Sequence, residues 1–173
     1  YVWLRDGAMR SLLLSSCLLS VVGSSLGAQH VRTLESARLL ADPTPVAVRL
    51  QLGTGALSVG AAEEPYLYRS IARFDDAFSA PTSTWNAAQR TLTLAAGQRL
   101  AGIARDDNEV AQDWRVQLTR RAPIELSITA TAANATLDLT GLPLRRFSLN
   151  SGAAAATVRF DAPNPESMAV FDA

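Results

Sequence analysis

Few side chains in this sequence could do acid–base or metal chemistry, and their spacing does not bring them together. The chain has one histidine, His30, and one cysteine, Cys17. A Ser-His-Asp arrangement needs a histidine in a rigid setting, and His30 lies near the predicted start of the mature chain, where it is poorly held. One histidine without thiolates is also too few ligands for a zinc or redox-metal site. We therefore expect no catalytic or metal-binding role for His30.

The carboxylates are the remaining candidates for chemistry. Adjacent acids in a strand point to opposite faces of the sheet, so a pair in sequence is not a pair in space. Two acids for glycoside hydrolysis, or a calcium site, would need a convergence that the sequence does not indicate. We predict solvated loop charges and a protein that is not an enzyme, with no catalytic, cofactor-binding or metal-binding residues. The candidates are Glu63-Glu64, Asp75-Asp76, Asp106-Asp107, Asp138 and Asp161.

Two tryptophans and one sequence motif could mark a carbohydrate connection. Trp85 and Trp114 could line a glycan site with their amphipathic rings. Trp114, however, alternates with Val116 and Leu118, which favours packing in the core or at its rim. Residues 134–136 fit the acceptor pattern for N-glycosylation, but they fall inside a repeat corner and we interpret the match as chance.

The composition argues against two classes of partner. The 173 residues are 48% hydrophobic and 18% charged, which indicates a folded chain. Sixteen acidic and sixteen basic residues give zero formal net charge, and all the basic residues are arginine. Nucleic acid and anionic membrane surfaces attract proteins with a clear basic excess. We expect neither as a partner.

The N-terminal part has the features of an export signal. Residues 1–8 precede the first methionine and are interpreted as upstream translated sequence. Residues 9–28 are predicted to be a signal peptide, with Arg10 as its charge, an apolar run at 12–22 and a small-residue cleavage site at 25–28. The run is shorter than the ~20 residues of a membrane-spanning helix. We expect an exported protein, periplasmic or at the cell surface, without an integral membrane span.

Cys17 lies inside this apolar run. Residues 14–17 resemble a bacterial lipobox, in which the cysteine is the site of lipid attachment. Only three leucines precede the box and the apolar run continues beyond it, so lipid anchoring at Cys17 is the less favoured interpretation. Removal of the signal leaves a mature chain without cysteine, and hence without disulfides or thiol chemistry.

A repeat of about 21 residues organises the C-terminal half of the chain. Two copies lie at residues 126–139 and 147–160, and residues 48–59 form an earlier copy of the same pattern. A fourth copy begins at Met168. Each copy contains two short apolar-alternating runs, separated by small residues and followed by a turn. A fixed period of this length is typical of solenoids. The matched pairs, all at an offset of 21, are Leu126 with Phe147, Ile128 with Leu149, Leu137 with Val158 and Leu139 with Phe160.

The repeat predicts an all-β β-solenoid over residues 46–173, with residues 29–45 as an N-terminal edge segment. Each coil leaves unpaired backbone that the next coil satisfies by parallel pairing, so we also expect further coils after Ala173. An antiparallel β-sandwich, which also has short alternating strands, is the alternative. No long helix is predicted. The inward positions of the last full copy would be Phe147, Leu149, Val158 and Phe160.

Residues 114–128, 137–149 and 158–166 resemble the bacterial toastrack β-solenoid domains of LiaF-like cell-envelope stress regulators and adhesin-like envelope proteins. Residues 48–59 fit the first coils of such a domain, so the resemblance covers residues 46–173. It implies a right-handed single-stranded β-helix that is noncatalytic and engages in protein interaction or assembly at the envelope. LiaF-like regulators place membrane helices before this domain, whereas a cleavable signal is predicted here, which favours a soluble exported form.

Two functions remain open at this point. The first is a noncatalytic envelope protein used for interaction, assembly or envelope-stress sensing, whose solenoid binds an envelope protein or a second copy through its open end. The second is a glycan-binding or adhesive solenoid that uses Trp85, Trp114 and loop carboxylates. Neither requires a cofactor.

Overall fold

A computed structural model describes residues 31–75, 78–98, 112–153 and 155–173. Across these ranges the regular elements are strands, and none is a helix, so the predicted all-β class is confirmed. The strands are β1 (Val31–Leu39), β2 (Val46–Ala61), β3 (Tyr66–Asp75), β4 (Thr82–Asn86), β5 (Thr91–Ala95), β6 (Asp113–Leu118), β7 (Ile124–Asp138), β8 (Leu144–Ser151), β9 (Ala156–Arg159) and β10 (Val170–Asp172).

β2 and β7 are the two long strands, and each of them pairs in two halves. The first half of β2 pairs in parallel with β5 and β7, and its second half with β6 and again β7. β7 likewise pairs first with β8 and then with β9. The network is open rather than closed and contains two layers. The first halves of β2 and β7 belong to one layer, whose strand order is β4–β5–β2–β7–β8–β10. Their second halves belong to the other layer, whose strand order is β1–β3–β6–β2–β7–β9.

A change in the inward-facing positions marks the corner between the two halves. In β2 the buried side chains alternate up to Leu52 and resume at Leu57. In β7 they alternate up to Ala130 and resume at Ala133. Both intervals are odd, and side chains of a straight strand alternate between its faces, so the second set would otherwise point outward. The chain therefore turns here, and both halves direct their apolar side chains to one core.

Backbone crowding explains the glycines at these corners. Gly55 has φ of +113°, and a β-carbon there would lie 2.1 Å from the carbonyl oxygen of Gln112. At the corner after β8, a β-carbon on Gly152 would lie 2.5 Å from the carbonyl oxygen of Thr131. Only glycine, which has no β-carbon, allows the two backbone segments to approach each other this closely.

The parallel part of the network confirms the residue pairing predicted from the repeat. Leu126 of β7 pairs with Phe147 of β8, and the second halves keep the same 21-residue offset between β7 and β9. Val48 of β2 pairs with Leu126. β10 continues the stack, because Phe171 pairs in parallel with Phe147. The four copies identified in the sequence therefore lie side by side.

The strands between the first and second copies in the sequence include antiparallel pairs, and here the structure departs from an uninterrupted solenoid over residues 46–173. β3 pairs antiparallel with β1 and with β6, and β4 pairs antiparallel with β5. The connection from β4 to β5 is a short turn that ends at Arg90, which has φ of +48°. A turn this short can join only antiparallel neighbours. The side of the network with β1 and β4, called the first end below, is therefore antiparallel.

The apolar side chains of both layers form one continuous core. Fully burying a side chain of this kind stabilises the fold by roughly 1.5–3 kcal/mol relative to leaving it exposed. The largest fully buried members include Leu50, Leu57, Leu92, Leu94, Leu126, Ile128, Leu137 and Phe147.

Several predictions concern parts of the chain outside the described residues. They are the upstream residues 1–8, the signal peptide at 9–28 with Cys17, and His30. Within the ranges that the structure covers, no helix has the length and apolar character needed to cross a membrane.

Candidate interaction site

Those carboxylates selected from the sequence that the structure describes are dispersed rather than gathered at one site. Glu64 pairs with Arg121 at 3.2 Å on an exposed surface, and Asp161 pairs with Arg159 at 2.7 Å. Among the described residues, no three His, Cys, Asp or Glu side chains lie close enough together to hold a metal ion. Of the remaining candidates, Glu63 precedes β3, Asp75 ends β3, Asp138 ends β7, and Asp76, Asp106 and Asp107 lie outside the described residues.

Local hydrogen bonds lower the pKa of two exposed carboxyl groups. The hydroxyl and the backbone N–H of Thr140 donate to Asp138 and hold the pKa of that carboxyl below its ordinary value. Thr44 lowers the pKa of Asp42 in the same way. A general acid that works near neutral pH needs the opposite shift, toward a higher pKa. Neither carboxyl group is therefore suited to that role.

The two tryptophans contribute to packing. Trp114 is only 2% exposed, and its indole Nε1–H donates to the Ser70 hydroxyl at 2.6 Å. The core position predicted for Trp114 is confirmed, and a buried ring cannot present a face to a glycan. Trp85 is half-buried, and the Arg38 guanidinium carbon lies 4.8 Å from its ring centroid, a cation–π contact between β4 and β1.

Polar contacts close the first end of the network. The Tyr68 hydroxyl lies 2.8 Å from the Ser36 hydroxyl of β1 and 2.5 Å from the Ser83 hydroxyl of β4, so it joins the edge strands of both layers. Glu35 of β1 pairs with Arg69 of β3 at 3.5 Å. Charged side chains on an edge strand discourage pairing with other chains. This end is therefore poorly suited to the addition of a strand.

The opposite end of the network presents apolar side chains beside unpaired strand edges. Among the described strands, β9 pairs only with β7, and β10 pairs only with β8. Phe160, Val170 and Phe171 are 38%, 39% and 58% exposed. The ring centroid of Phe171 lies 5.3 Å from that of Phe147 and 6.4 Å from that of Phe160. We call the surface formed by β9, β10, Phe160, Val170 and Phe171 the open end.

Side-chain contacts hold the connection between β9 and β10 against β8. The amide oxygen of Asn164 accepts the N–H of Leu144 at 3.0 Å, and its amide nitrogen donates to the Leu144 carbonyl at 2.6 Å. Asn164 thereby reproduces the pairing that a neighbouring strand would provide. An ion pair between Arg145 and Glu166, at 3.4 Å, adds a second link. These contacts fix the position of the connection between β9 and β10.

The sequence of this chain matches a known protein family. The family model for the N-terminal domain of toast_rack, DUF2154, matches residues 30–171. The chain belongs to this family. The membership predicted from its repeats is confirmed. Among curated proteins, none matches this toast_rack domain.

Two solved structures resemble the toast_rack domain. One is a candidate cell adhesion protein from Clostridium sporogenes, with 16% identity and a TM-score of 0.56; the match covers 70% of this chain and 59% of that one. The other is a candidate adhesin from Parabacteroides distasonis, with 16% identity and a TM-score of 0.38, over 73% and 56% of the two chains. The toast_rack domain thus spans less than two thirds of either structure. At this identity, the Clostridium structure shows a shared fold alone.

The burial predicted for Phe160 of the toast_rack repeat is wrong, and its exposure marks the open end. The repeat predicts Phe160 as an inward position, yet its side chain is 38% exposed. β9, which precedes Phe160, has no second neighbour among the described strands, so that side of the copy is uncovered. The repeat pattern predicts which side chains point toward the core. It does not predict which copy lacks a neighbouring strand to cover those side chains.

Proposed function

We propose that this toast_rack domain is a noncatalytic protein-interaction module of the cell envelope. We further propose that its open end pairs with an added extended strand, supplied by a partner protein, a second copy of the chain or residues that follow Ala173. The observation that carries the proposal is the coincidence of unpaired strand edges with Phe160, Val170 and Phe171 on one surface. The other large exposed hydrophobic residues in the described ranges, Leu34 and Leu39, lie on β1, where charged side chains share the edge.

An added strand would satisfy two physical requirements of the open end. The free edges of β9 and β10 carry backbone N–H and C=O groups that can pair with another strand. Its apolar side chains would also cover Phe160 and Phe171, at roughly 25 cal/mol per Å² of apolar area removed from water. Because strand side chains alternate between faces, the expected partner segment is extended, with an apolar residue at every second position.

We infer that the parallel strands wind as a right-handed single-stranded β-helix within a domain spanning residues 46–173. The parallel registers of β2, β7, β8 and β10 support this assignment. A β-sandwich is built from antiparallel sheets, so parallel pairing favours the helix for this part of the chain. The antiparallel strands of the first end then act as a cap on the stack.

We also propose a location outside the cytoplasm, in the periplasm or at the cell surface, and the signal-like pattern at residues 9–28 supports it. The similar fold of a candidate cell adhesion protein from Clostridium sporogenes fits this location. The noncatalytic role is supported by the dispersal of Glu64, Asp138 and Asp161, each of which forms a local contact instead of joining a common site. Adhesion, assembly and envelope-stress sensing would all use the same binding surface.

The experiment compares Phe171→Ser with Leu39→Ser in the full chain. The two side chains are 58% and 59% exposed but lie on opposite edges of the network, which makes Leu39→Ser a matched control. Each protein is used to capture partners from an envelope extract, and the Kd is then measured with the purified partner. We expect Phe171→Ser to weaken binding more than about tenfold and Leu39→Ser to leave it unchanged.

Sedimentation velocity on the same proteins separates the possible partners. A wild-type dimer that Phe171→Ser converts to a monomer would identify a second copy of the chain as the occupant of the open end. Equal binding by wild type and Phe171→Ser, or a loss confined to Leu39→Ser, would contradict the proposal.

A further inference from the structure

A polar cleft lies where β2 and β6 end and β3 begins. Two hollows, of about 400 Å³ and 140 Å³, share Glu63 and Tyr66 in their walls. Arg120 contributes to the larger hollow, and Arg69 and Gln117 to the smaller. We call the two together the Tyr66 cleft. Its larger hollow falls within the range of about 300–1,000 Å³ that is typical of small-molecule sites.

The walls of the Tyr66 cleft carry hydrogen-bonding groups that the fold does not use. Within the part of the chain that the structure describes, the side chains of Glu63, Tyr66 and Gln117 form no hydrogen bond or ion pair. At the rim, by contrast, Glu64 is paired with Arg121. The cleft therefore holds a carboxylate, a phenol and an amide that are all free to meet a ligand.

The backbone around the Tyr66 cleft is already paired. The N–H of Ala62 donates to the Leu118 carbonyl at 2.6 Å, and the N–H of Thr119 donates to the Leu67 carbonyl at 2.9 Å. The N–H of Tyr66 donates to the Glu63 carbonyl at 3.2 Å. An extended peptide binds a sheet mainly through free backbone groups. Recognition in this cleft is instead left to side chains.

We propose that the Tyr66 cleft binds an uncharged saccharide of one or two sugar units. The Glu63 carboxylate accepts hydrogen bonds from sugar hydroxyls, while Gln117 both accepts and donates and the Arg120 guanidinium donates. The half-buried Tyr66 ring offers apolar surface to the C–H groups of the sugar.

The charge of the Tyr66 cleft fits an uncharged ligand. Glu64 and Arg69 are paired with Arg121 and Glu35, and the remaining charges of Glu63 and Arg120 are opposite, so the walls favour neither an anion nor a cation. The site is separate from the open end and does not use Trp85 or Trp114. Saccharide binding in the Tyr66 cleft therefore does not depend on the strand binding proposed for the open end.

The test titrates the full chain with glucose, galactose, N-acetylglucosamine and their β-1,4 disaccharides, observed by saturation-transfer NMR, with alanyl-alanine as the peptide probe. We expect at least one saccharide to bind. Tyr66→Ala should weaken that binding about tenfold, and Glu63→Gln and Gln117→Ala several-fold each. Arg73→Ala, an exposed substitution on the same strand but outside the cleft, serves as the matched control and should bind like the wild type.

Three results would overturn the assignment. The first is no saccharide binding by the wild type at millimolar concentrations. The second is saccharide binding that Glu63→Gln and Gln117→Ala leave unchanged. Neither of these side chains is fully buried, so this result is informative even if Tyr66→Ala does not fold. The third is binding of alanyl-alanine in place of the sugars. Phe171→Ser should retain saccharide binding, which separates this site from the proposed function of the open end.

Discussion

The rings of Phe147 and Phe171 lie with their centroids 5.3 Å apart and their planes inclined by 38°, although Phe147 is fully buried and Phe171 is more than half exposed. The two residues occupy the same position on neighbouring parallel strands, β8 and β10. Phe171 covers Phe147 and is not itself covered by any described strand. One position of the repeat is therefore buried in β8 and exposed in β10.

Truncating these two rings should have unequal effects on stability. Phe147→Ala removes a fully buried ring and should lower the free energy of unfolding by about 3–5 kcal/mol. Phe171→Ala should cost about 1 kcal/mol, because most of its ring is already in contact with water. Urea unfolding followed by tryptophan fluorescence measures both. Equal losses would mean that Phe171 is buried in solution, as it would be between two copies of the chain.

The buried hydrogen bond between Trp114 and Ser70 should show energetic coupling. Trp114→Phe leaves the buried Ser70 hydroxyl without its partner, which should lower the free energy of unfolding by about 1–3 kcal/mol. Ser70→Ala leaves the indole N–H unpaired and should have a similar cost. The double variant should lose less than the sum of the two, with a coupling of about 0.5–3 kcal/mol in a double-mutant cycle. Strict additivity would show that the bond does not form in solution.

The repeat could be predicted from the sequence because its side chains report directly on the core. Leu126 and Phe147 pair in the structure as they align in the sequence, since each repeats the same inward position of a parallel stack. Trp114 was likewise identifiable as buried, because it alternates with other apolar residues. Local periodicity determines these features, so one sequence is enough to find them.

Pairing between distant strands and the location of binding surfaces were not predictable in the same way. The antiparallel pairing of β3 with β1 and β6 depends on which strands meet in space, and alternation along each strand is the same in either direction. The Tyr66 cleft is built from Glu63, Tyr66 and Gln117, which come from separate elements and form no motif. Phe160 has the apolar character of an inward residue, and only the absence of a described neighbour beside β9 exposes it.

The corner of β2 should tolerate alanine at one glycine and not at another. Gly55→Ala places a β-carbon 2.1 Å from the Gln112 carbonyl oxygen in a backbone with φ of +113°. We expect a loss of more than about 2 kcal/mol in the free energy of unfolding. Gly53→Ala is the matched control two residues earlier, where the new β-carbon meets nothing within 4 Å. It should change stability by less than about 1 kcal/mol. Equal effects in urea unfolding would contradict the close contact at Gly55.

The hydrogen bonds from Thr140 to Asp138 should make stability depend on pH in the acid range. They lower the pKa of the folded Asp138 carboxyl below its ordinary value of 3.8. A carboxyl group with a lowered folded pKa contributes stability above its unfolded pKa and loses it as the pH falls through the folded value. The loss should therefore appear below about pH 4.

Asp138→Asn tests this dependence because it removes the titrating group and keeps its shape. Its stability should fall less steeply than that of the wild type between about pH 4 and pH 2. Asp172→Asn is the control, because its exposed carboxylate forms no hydrogen bond among the described residues. Carbon-detected NMR should also place the Asp138 pKa below the ordinary value, and Thr140→Ala should raise it. A pKa at or above 3.8 in the wild type would show that the carboxylate is not held by Thr140 in solution.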